Sequence, residues 1–167
     1  MLTNKADTIK NLQKENIKFL IPNTKVISVN DWKINKKTIL SYISKNFKNE
    51  IIIRSSSIEE DSAAKSNAGK FLSIQNINPK NRSSIIKAIN KVIRSYGKKN
   101  FLKNKVLIQN QIKNVSMSGV LLTHELETEA PYYVINYDDK TKKTDTITSG
   151  KDEISNKKLI VYRSGIK

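Results

Sequence analysis

Arg54-Ser55-Ser56-Ser57 is the stretch of this chain best suited to chemistry on an anion. A guanidinium presents several N–H donors in a rigid fork that matches phosphate oxygens. Serine hydroxyls, and backbone N–H groups left free in a tight loop, donate to the same oxygens. Glu59, Glu60 and Asp61 follow, then Ser66, Ala68 and Gly69, where the missing Cβ lets a ligand come close to the backbone. Polyphosphate is the ligand such a set suits. The bland alternative is a hairpin loop with a solvated arginine and a charged tip, and by residue type alone it is the better reading. No G-x-x-x-x-G-K-[ST] phosphate loop occurs.

Regular elements must hold these residues. Residues 51–53 are three isoleucines and read as a short buried strand; residues 71–74 read as its return after the polar loop. Upstream, Thr3 or Asn4 caps a helix with Asp7 in its first turn and Ala6, Ile9 and Leu12 facing inward, ending near Asn16. Pro22-Asn23 makes a turn and residues 25–29 a strand. Asn30 or Asp31 caps a second helix, with Trp32 near its start and Ile34, Ile39, Leu40, Ile43 and Phe47 on its apolar face. Asn78-Pro79 opens a third, with proline at the first helical position. Its stripe of Ile85, Ile86, Ile89, Val92, Ile93 and Tyr96 reads as core rather than as a base-stacking platform, and Gly97 as its C-cap. Residues 106–108, 117–123, 132–137 and 159–162 read as further strands, with Asp138-Asp139 starting a turn and residues 144–148 returning from it.

Composition narrows the class. The 167 residues suffice for one ordinary domain with a core, although only 37% are hydrophobic and the mean hydropathy is -0.52. The formal net charge of +16 makes nucleic acid one possible partner. The lysines are spread along the whole chain, however, and no helix-turn-helix, zinc-finger or RNP pattern occurs. A broad positive field also attracts a nucleotide polyphosphate. With no cysteine there is neither a disulfide nor a thiolate metal site. No signal peptide and no apolar run of roughly 18 residues is seen, so a soluble cytoplasmic protein is expected.

The order of residues is more specific than their types. Arg54-Ser55-Ser56, Glu60-Asp61, Ser66 and Ala68-Gly69 resemble the R-S-S…E-D…S-x-A-G signature of one family. It is the N-terminal ATP-grasp domain of phosphoenolpyruvate synthase, pyruvate phosphate dikinase and rifampin phosphotransferase. Ser73 stands where that family usually has threonine. The segment Asn4 to Ile9, with Ile21-Pro22 and Val26-Ile27-Ser28, is similar to the family's opening G-G-K-x-x-x-L…V-P-P-G-F-V-I-T. Lys5 falls on the lysine that contacts ATP phosphates there, and Asn4 replaces a glycine. Val106-Leu107-Ile108-Gln109 and Ser118-Gly119-Val120-Leu121-Leu122-Thr123 resemble V-x-V-Q-x-M-V…S-G-V-L-F-T. The first of these is the family's hinge between two subdomains, where backbone groups meet the adenine edge, and Gln109 is the matching position. A plain β-hairpin of the two segments is the alternative.

The resemblance implies an α+β ATP-grasp nucleotide-binding domain of two subdomains, the second of them short, as in a truncated domain. The N-terminal subdomain would span 1–110, with a phosphate-contacting loop at 54–73, and the partial second one 111–167. The implied ATP ligands are Lys5, Arg54, Ser55, Ser56, Gly69, Ser73 and Gln109, with Glu60 and Asp61 ordering the loop. Mg²⁺ is the implied metal. The family's I-E-A-x-x-G-x-G-E-x-x-V-x-G stretch aligns Asn136 and Asp145 with its two acidic ligands, and Lys142, Lys143 and Thr144 replace its glycines. A turn is the alternative for Asp138-Asp139.

The implied activity is that of an ATP-dependent phosphotransferase within a longer chain. The phosphoryl group would pass from ATP through a histidine in a T-x-H motif of another domain to a small acceptor bound elsewhere. His124, the lone histidine, does not fit that role, so this stretch by itself is expected to be inactive and to hold no catalytic nucleophile. Residues 130–139 and 144–150 depart from pyruvate-using members and look like a subgroup associated with surface polysaccharides, of which the glutamine kinase of capsule phosphoramidate synthesis is an example. The L-glutamine amide is thus the expected acceptor. Pyruvate is an alternative acceptor, and a basic nucleic-acid-binding protein is the alternative of another class.

Overall fold

The computed structural model of the chain describes residues 5–15, 18–57, 72–97, 102, 104–141, 147 and 156–164. It divides into two compact units, Met1–Ile112 and Lys113–Lys167, both built on antiparallel sheets. The architecture is α+β.

The first unit contains α1 (Lys5–Leu12), β1 (Thr24–Ser28), α2 (Val29–Ile34), α3 (Lys36–Asn46), β2 (Ile51–Ser56), β3 (Ser73–Ile77), α4 (Arg82–Arg94) and β4 (Lys105–Asn110). Its four strands lie in the order β1-β4-β2-β3. Strand alternation sends Ile51 and Ile53 to the same face as Val106, Ile108 and Ile27, because Ile53 stands opposite Ile108 and Val106 opposite Ile27. These residues form one buried cluster with Ile39, Ile43 and Phe47 of the α3 segment and Ile85, Ile89 and Val92 of α4. Each fully buried aliphatic side chain of this kind contributes about 1.5–3 kcal/mol. Trp32 is also buried, and its indole N–H donates to Asn90 Oδ1 at 2.9 Å.

Several element ends differ from the sequence reading, each through a local polar group. The second helix is capped by Ser28 rather than by Asn30 or Asp31. Ser28 Oγ accepts from Asp31 N at 2.9 Å and the Asp31 carboxylate accepts from Ser28 N at 3.1 Å, a capping box. That helix is then interrupted at Asn35, whose backbone (φ -111, ψ 26) leaves the helical region between α2 and α3. The third helix starts at Arg82, not at Pro79. Asn78 Oδ1 accepts from Lys80 N and holds a turn, while Asn81 Oδ1 accepts from Ser84 N and caps α4. At its other end Ser95 is the C-cap, and Gly97 takes the positive φ of 67° beyond it. Helix α1 ends at Leu12, because Lys14 N and Glu15 N donate to carbonyls three residues back and tighten the chain into a turn.

The return strand after the polar loop runs Ser73–Ile77, later than residues 71–74, of which Phe71 lies outside the described residues. Its pairing with β2 is irregular between Ile51 and Ile53, where Asn76 adopts φ 58°. The Gln111 side chain clamps this irregularity, accepting from Asn76 N at 2.6 Å and donating to Asn76 Oδ1 at 2.7 Å.

The second unit contains β5 (Ser118–Leu122), β6 (Tyr132–Asp138) and β7 (Lys157–Tyr162), paired in that order. The hairpin alternative for residues 106–108 and 117–123 does not form, since β4 pairs with β1 and β2 whereas β5 pairs with β6. Gly119 faces Tyr137 across the ladder, and a Cβ there would stand 2.6 Å from the Asn136 carbonyl oxygen. Val134 and Asp138 are the buried residues of this unit among those described. Asp138 closes a turn as expected, its carboxylate accepting from Lys140 N, Thr141 N and the Thr141 hydroxyl. All of β7 is exposed. Of the return expected at 144–148, only Ile147 is among the described residues. No described helix is long and apolar enough to cross a membrane.

Candidate functional site

The same alternation that builds the core fixes what faces away from it. Arg54 stands opposite Leu107 on one side and Ser73 on the other, and Gln109 opposite Thr24 and Ile52. Arg54, Ser56, Ser73 and Gln109 therefore share the sheet face opposite the buried cluster, together with Lys105 and Ser28. Ser55, one step out of phase and opposite Val106, lies on the core face and is buried. The three-residue motif thus splits by strand geometry, with Arg54 and Ser56 on one face and Ser55 on the other.

The end of β2 is a polar knot. Ser55, Ser56, Ser57 and Asn104 are the buried polar residues of the first unit among those described. Buried polar groups need partners, and here these residues and groups of neighbouring elements supply them. Ser57 Oγ donates to Asn104 Oδ1 at 3.1 Å, Asn104 O accepts from Val29 N at 3.1 Å, and Ser55 N donates to Leu72 O at 3.1 Å. Ser56 makes the longest connection in sequence. Its Oγ accepts from Ala6 N at 3.1 Å, fifty residues away. Ala6 is the second residue of α1, one of the first-turn N–H groups that have no partner within a helix. A strand hydroxyl thus caps the helix from outside and draws the Lys5 end of α1 to the end of the Arg54 strand.

Lys105 braces the same corner. It is the cross-strand partner of Ser56 and of Ser28. Its Nζ reaches Asp7 Oδ1 at 2.5 Å, and its carbonyl accepts from the Tyr96 hydroxyl at 2.5 Å. The Tyr96 oxygen in turn accepts from Ser56 N at 3.1 Å. Beside this corner lies a cleft of about 420 Å³ whose lining includes Asp7, Lys10, Thr24, Lys25, Ser28 and Lys105. Neither Arg54, Ser73 nor Gln109 lines it. At its rim the Ser28 hydroxyl and backbone N–H hold the Asp31 carboxyl below its ordinary value of 3.8.

The remaining expected residues fare differently. Gln109 donates from Nε2 to Thr24 Oγ1 at 2.9 Å. Gly69, Glu60, Asp61 and Asp145 lie outside the described residues. Asn136 sits in β6 between Val120 and Lys158. A hard dication prefers carboxylate oxygens, and the neutral Asn136 amide does not make an Mg²⁺ site by itself. Among the described residues no group of three or more His, Cys, Asp or Glu could hold a metal ion. His124 is exposed, with Nδ1 3.4 Å from Thr123 Oγ1.

Sequence reasoning missed Tyr96, Lys105 and Asn104 as parts of this corner. A signal existed for Tyr96, because a phenol buried on a helix stripe needs a partner for its hydroxyl. Ser56 N and Lys105 O, which bond to it, are backbone groups of other elements, which a stripe pattern does not name.

The family described as pyruvate phosphate dikinase, AMP/ATP-binding domain, matches residues 3–137. The chain belongs to this family, the nucleotide-binding domain of phosphoenolpyruvate-utilising phosphotransferases. The match takes in α1, the whole four-stranded sheet, and β5 with nearly all of β6. No curated protein and no solved structure matches the chain significantly.

Proposed function

We propose that the chain is the ATP-binding part of an ATP-grasp phosphotransferase, and that Lys5 and Arg54 hold the nucleotide's phosphates. The observation that carries this reading is the Ala6 N to Ser56 Oγ bond. It holds the Lys5 end of α1 against Ser56, two residues along the same strand from Arg54, inside the family match, which supports a shared phosphate site. Ser73 and Gly69 add donors and room for the phosphates, Gln109 stands at the adenine side, and Glu60 and Asp61 order the loop. Ser55 and Ser56 are buried, which supports a positioning duty for both. Catalysis of phosphoryl transfer is mainly positioning and charge neutralisation, which two cations at one corner serve. Mg²⁺, when bound, would supply neutralisation of the phosphate charge, and Asn136 and Asp145 are the residues proposed to hold it.

In this reading the phosphoryl group leaves ATP for a histidine on another domain and then reaches a small acceptor. We take the acceptor to be the glutamine amide, on the likeness of residues 130–139 and 144–150 to capsule-pathway enzymes. Pyruvate is the competing acceptor. Incubation of the full-length protein with labelled ATP and either compound separates the two, and turnover of pyruvate alone would overturn the glutamine assignment.

Calorimetric titration tests the binding itself. Arg54→Ala should weaken ATP binding by about 1.5–3 kcal/mol, the scale of a hydrogen bond to a charged group. Arg54→Lys should weaken it as well, since a point charge does not replace the fork. Equal affinities in all three proteins would sink the assignment.

A further inference from the structure

We infer that Tyr96 is a positioning residue for the phosphate corner. Its hydroxyl is the strut that holds Ser56 in place to cap α1 and so sets where Lys5 stands. The inference rests on the nucleotide reading above only for the identity of the ligand.

The geometry is one continuous relay. Ser56 N donates to the Tyr96 oxygen at 3.1 Å, and the Tyr96 O–H donates to Lys105 O at 2.5 Å. A phenol has one proton to give and lone pairs to accept with, so both bonds form at once. Ser56 and Lys105 are cross-strand partners at the last rung of β2 and β4. The tyrosine oxygen thus bridges an N–H and a carbonyl of two adjacent strands at the rung where the ladder ends. Tyr96 lies beyond the end of α4 and is buried, so its ring is held by the core while its hydroxyl reaches the sheet. From the same Ser56 the relay continues through Oγ to Ala6 N, next to Lys5. Asp7, one residue further, is tied by its carboxylate to Lys105, the residue whose carbonyl the tyrosine holds. Two of the links that fix helix α1 to the strand ends therefore converge on the rung that Tyr96 bridges.

Tyr96→Phe keeps the ring in the core and removes the hydroxyl strut, leaving Ser56 N–H and Lys105 C=O without that partner. Two measurements on the same variant separate the inference from the nucleotide reading. Amide exchange without ligand should become faster over residues 6–9, and unchanged exchange there overturns the strut. Titration should show ATP affinity falling about tenfold, the scale of one hydrogen bond, with adenosine affinity unchanged. An equal loss for ATP and adenosine would mean a general structural role and overturn the positioning role.

A cycle with Lys5→Ala sharpens the result. If Tyr96 acts through Lys5, Tyr96→Phe costs no further ATP affinity in the Lys5→Ala background. An undiminished loss there overturns the inference. If the phenylalanine variant does not fold, Ser56→Ala breaks the next link of the relay and carries the same expectations. A wild-type chain that binds no ATP would defeat the nucleotide reading, while faster exchange over residues 6–9 in Tyr96→Phe would still establish the strut.

Discussion

The two units of this chain make their sheets in the same antiparallel way and stabilise them by different means. In the first, one sheet face is sealed by a cluster that includes Ile43, Phe47, Ile51, Ile53, Ile89 and Ile108, none of them more than 1% exposed. In the second, Leu121, Leu159, Ile160 and Tyr162 are 48–63% exposed, and Val134 is the buried apolar residue among those described. Apolar content does not distinguish them, since the strand 157–162 is as rich in branched residues as 51–56. The helices do. Alternating apolar residues stabilise a sheet only where a second layer removes them from water.

The widest gap between the units should appear on core truncation. Ile53→Ala or Phe47→Ala should lower unfolding free energy by about 2–5 kcal/mol, the range for fully buried large side chains. Ile160→Ala, at an exposed position, should cost less than about 0.5 kcal/mol in the same chemical denaturation. Similar costs at both positions would mean that β7 is covered in solution.

A glycine makes a sharper test of the second unit. Gly119→Ala drives a methyl group against the Asn136 carbonyl, a backbone atom that cannot swing aside. Overpacking of this kind costs about 1–3 kcal/mol, and spectra assigned to β5 and β6 should shift while those of the first sheet do not. A neutral outcome would mean that β5 moves away from β6 freely.

Amide exchange reads the same contrast without mutation. Protection should be greatest in β2, β4 and the middle of α4 and least in β7, whose strand is an exposed edge. Uniformly slow exchange from Val120 to Val161 in a proven monomer would erase the difference.

The smallest effects are electrostatic, and each unit offers an example. In the first, Ser28→Ala removes a cap and should cost about 1 kcal/mol. Its partner Asp31 titrates below 3.8 when folded, so the box contributes in full above that value and is lost as the pH falls through the lowered one. In the second, Lys157 Nζ sits 2.6 Å from Asp139 Oδ2, lowering the Asp139 carboxyl and raising the Lys157 ammonium from their ordinary values. The pair is solvent-exposed, so high salt should abolish any effect of Asp139→Asn on the melting temperature.

Much of the chain was legible in its pattern. The unbroken run of isoleucines at 51–53 identified the core strand, and the helical spacing of the apolar residues in 85–93 identified the helix against it. The fixed order of Arg54-Ser55-Ser56 and its neighbours pointed to the family that the match over residues 3–137 then showed. Helix ends were less legible. Ser28, Asp31, Asn78 and Asn81 are all competent caps, and which one acts depends on a hydrogen bond one turn away.

By itself, then, the sequence determined the family and which faces are apolar, and it supplied Lys5 and Arg54 as the proposed phosphate ligands. These are properties of residue type and local period. Only the tertiary structure decided that Ser55 and Ser56 part company across the sheet and that Ser56 caps a helix fifty residues upstream. It alone gave Tyr96 and Lys105 a place at the corner. The reason is that a hydroxyl bonds to whichever backbone group the fold brings within about 3 Å. Such partners come from strand register and helix docking, and neither distance along the chain nor residue type encodes them.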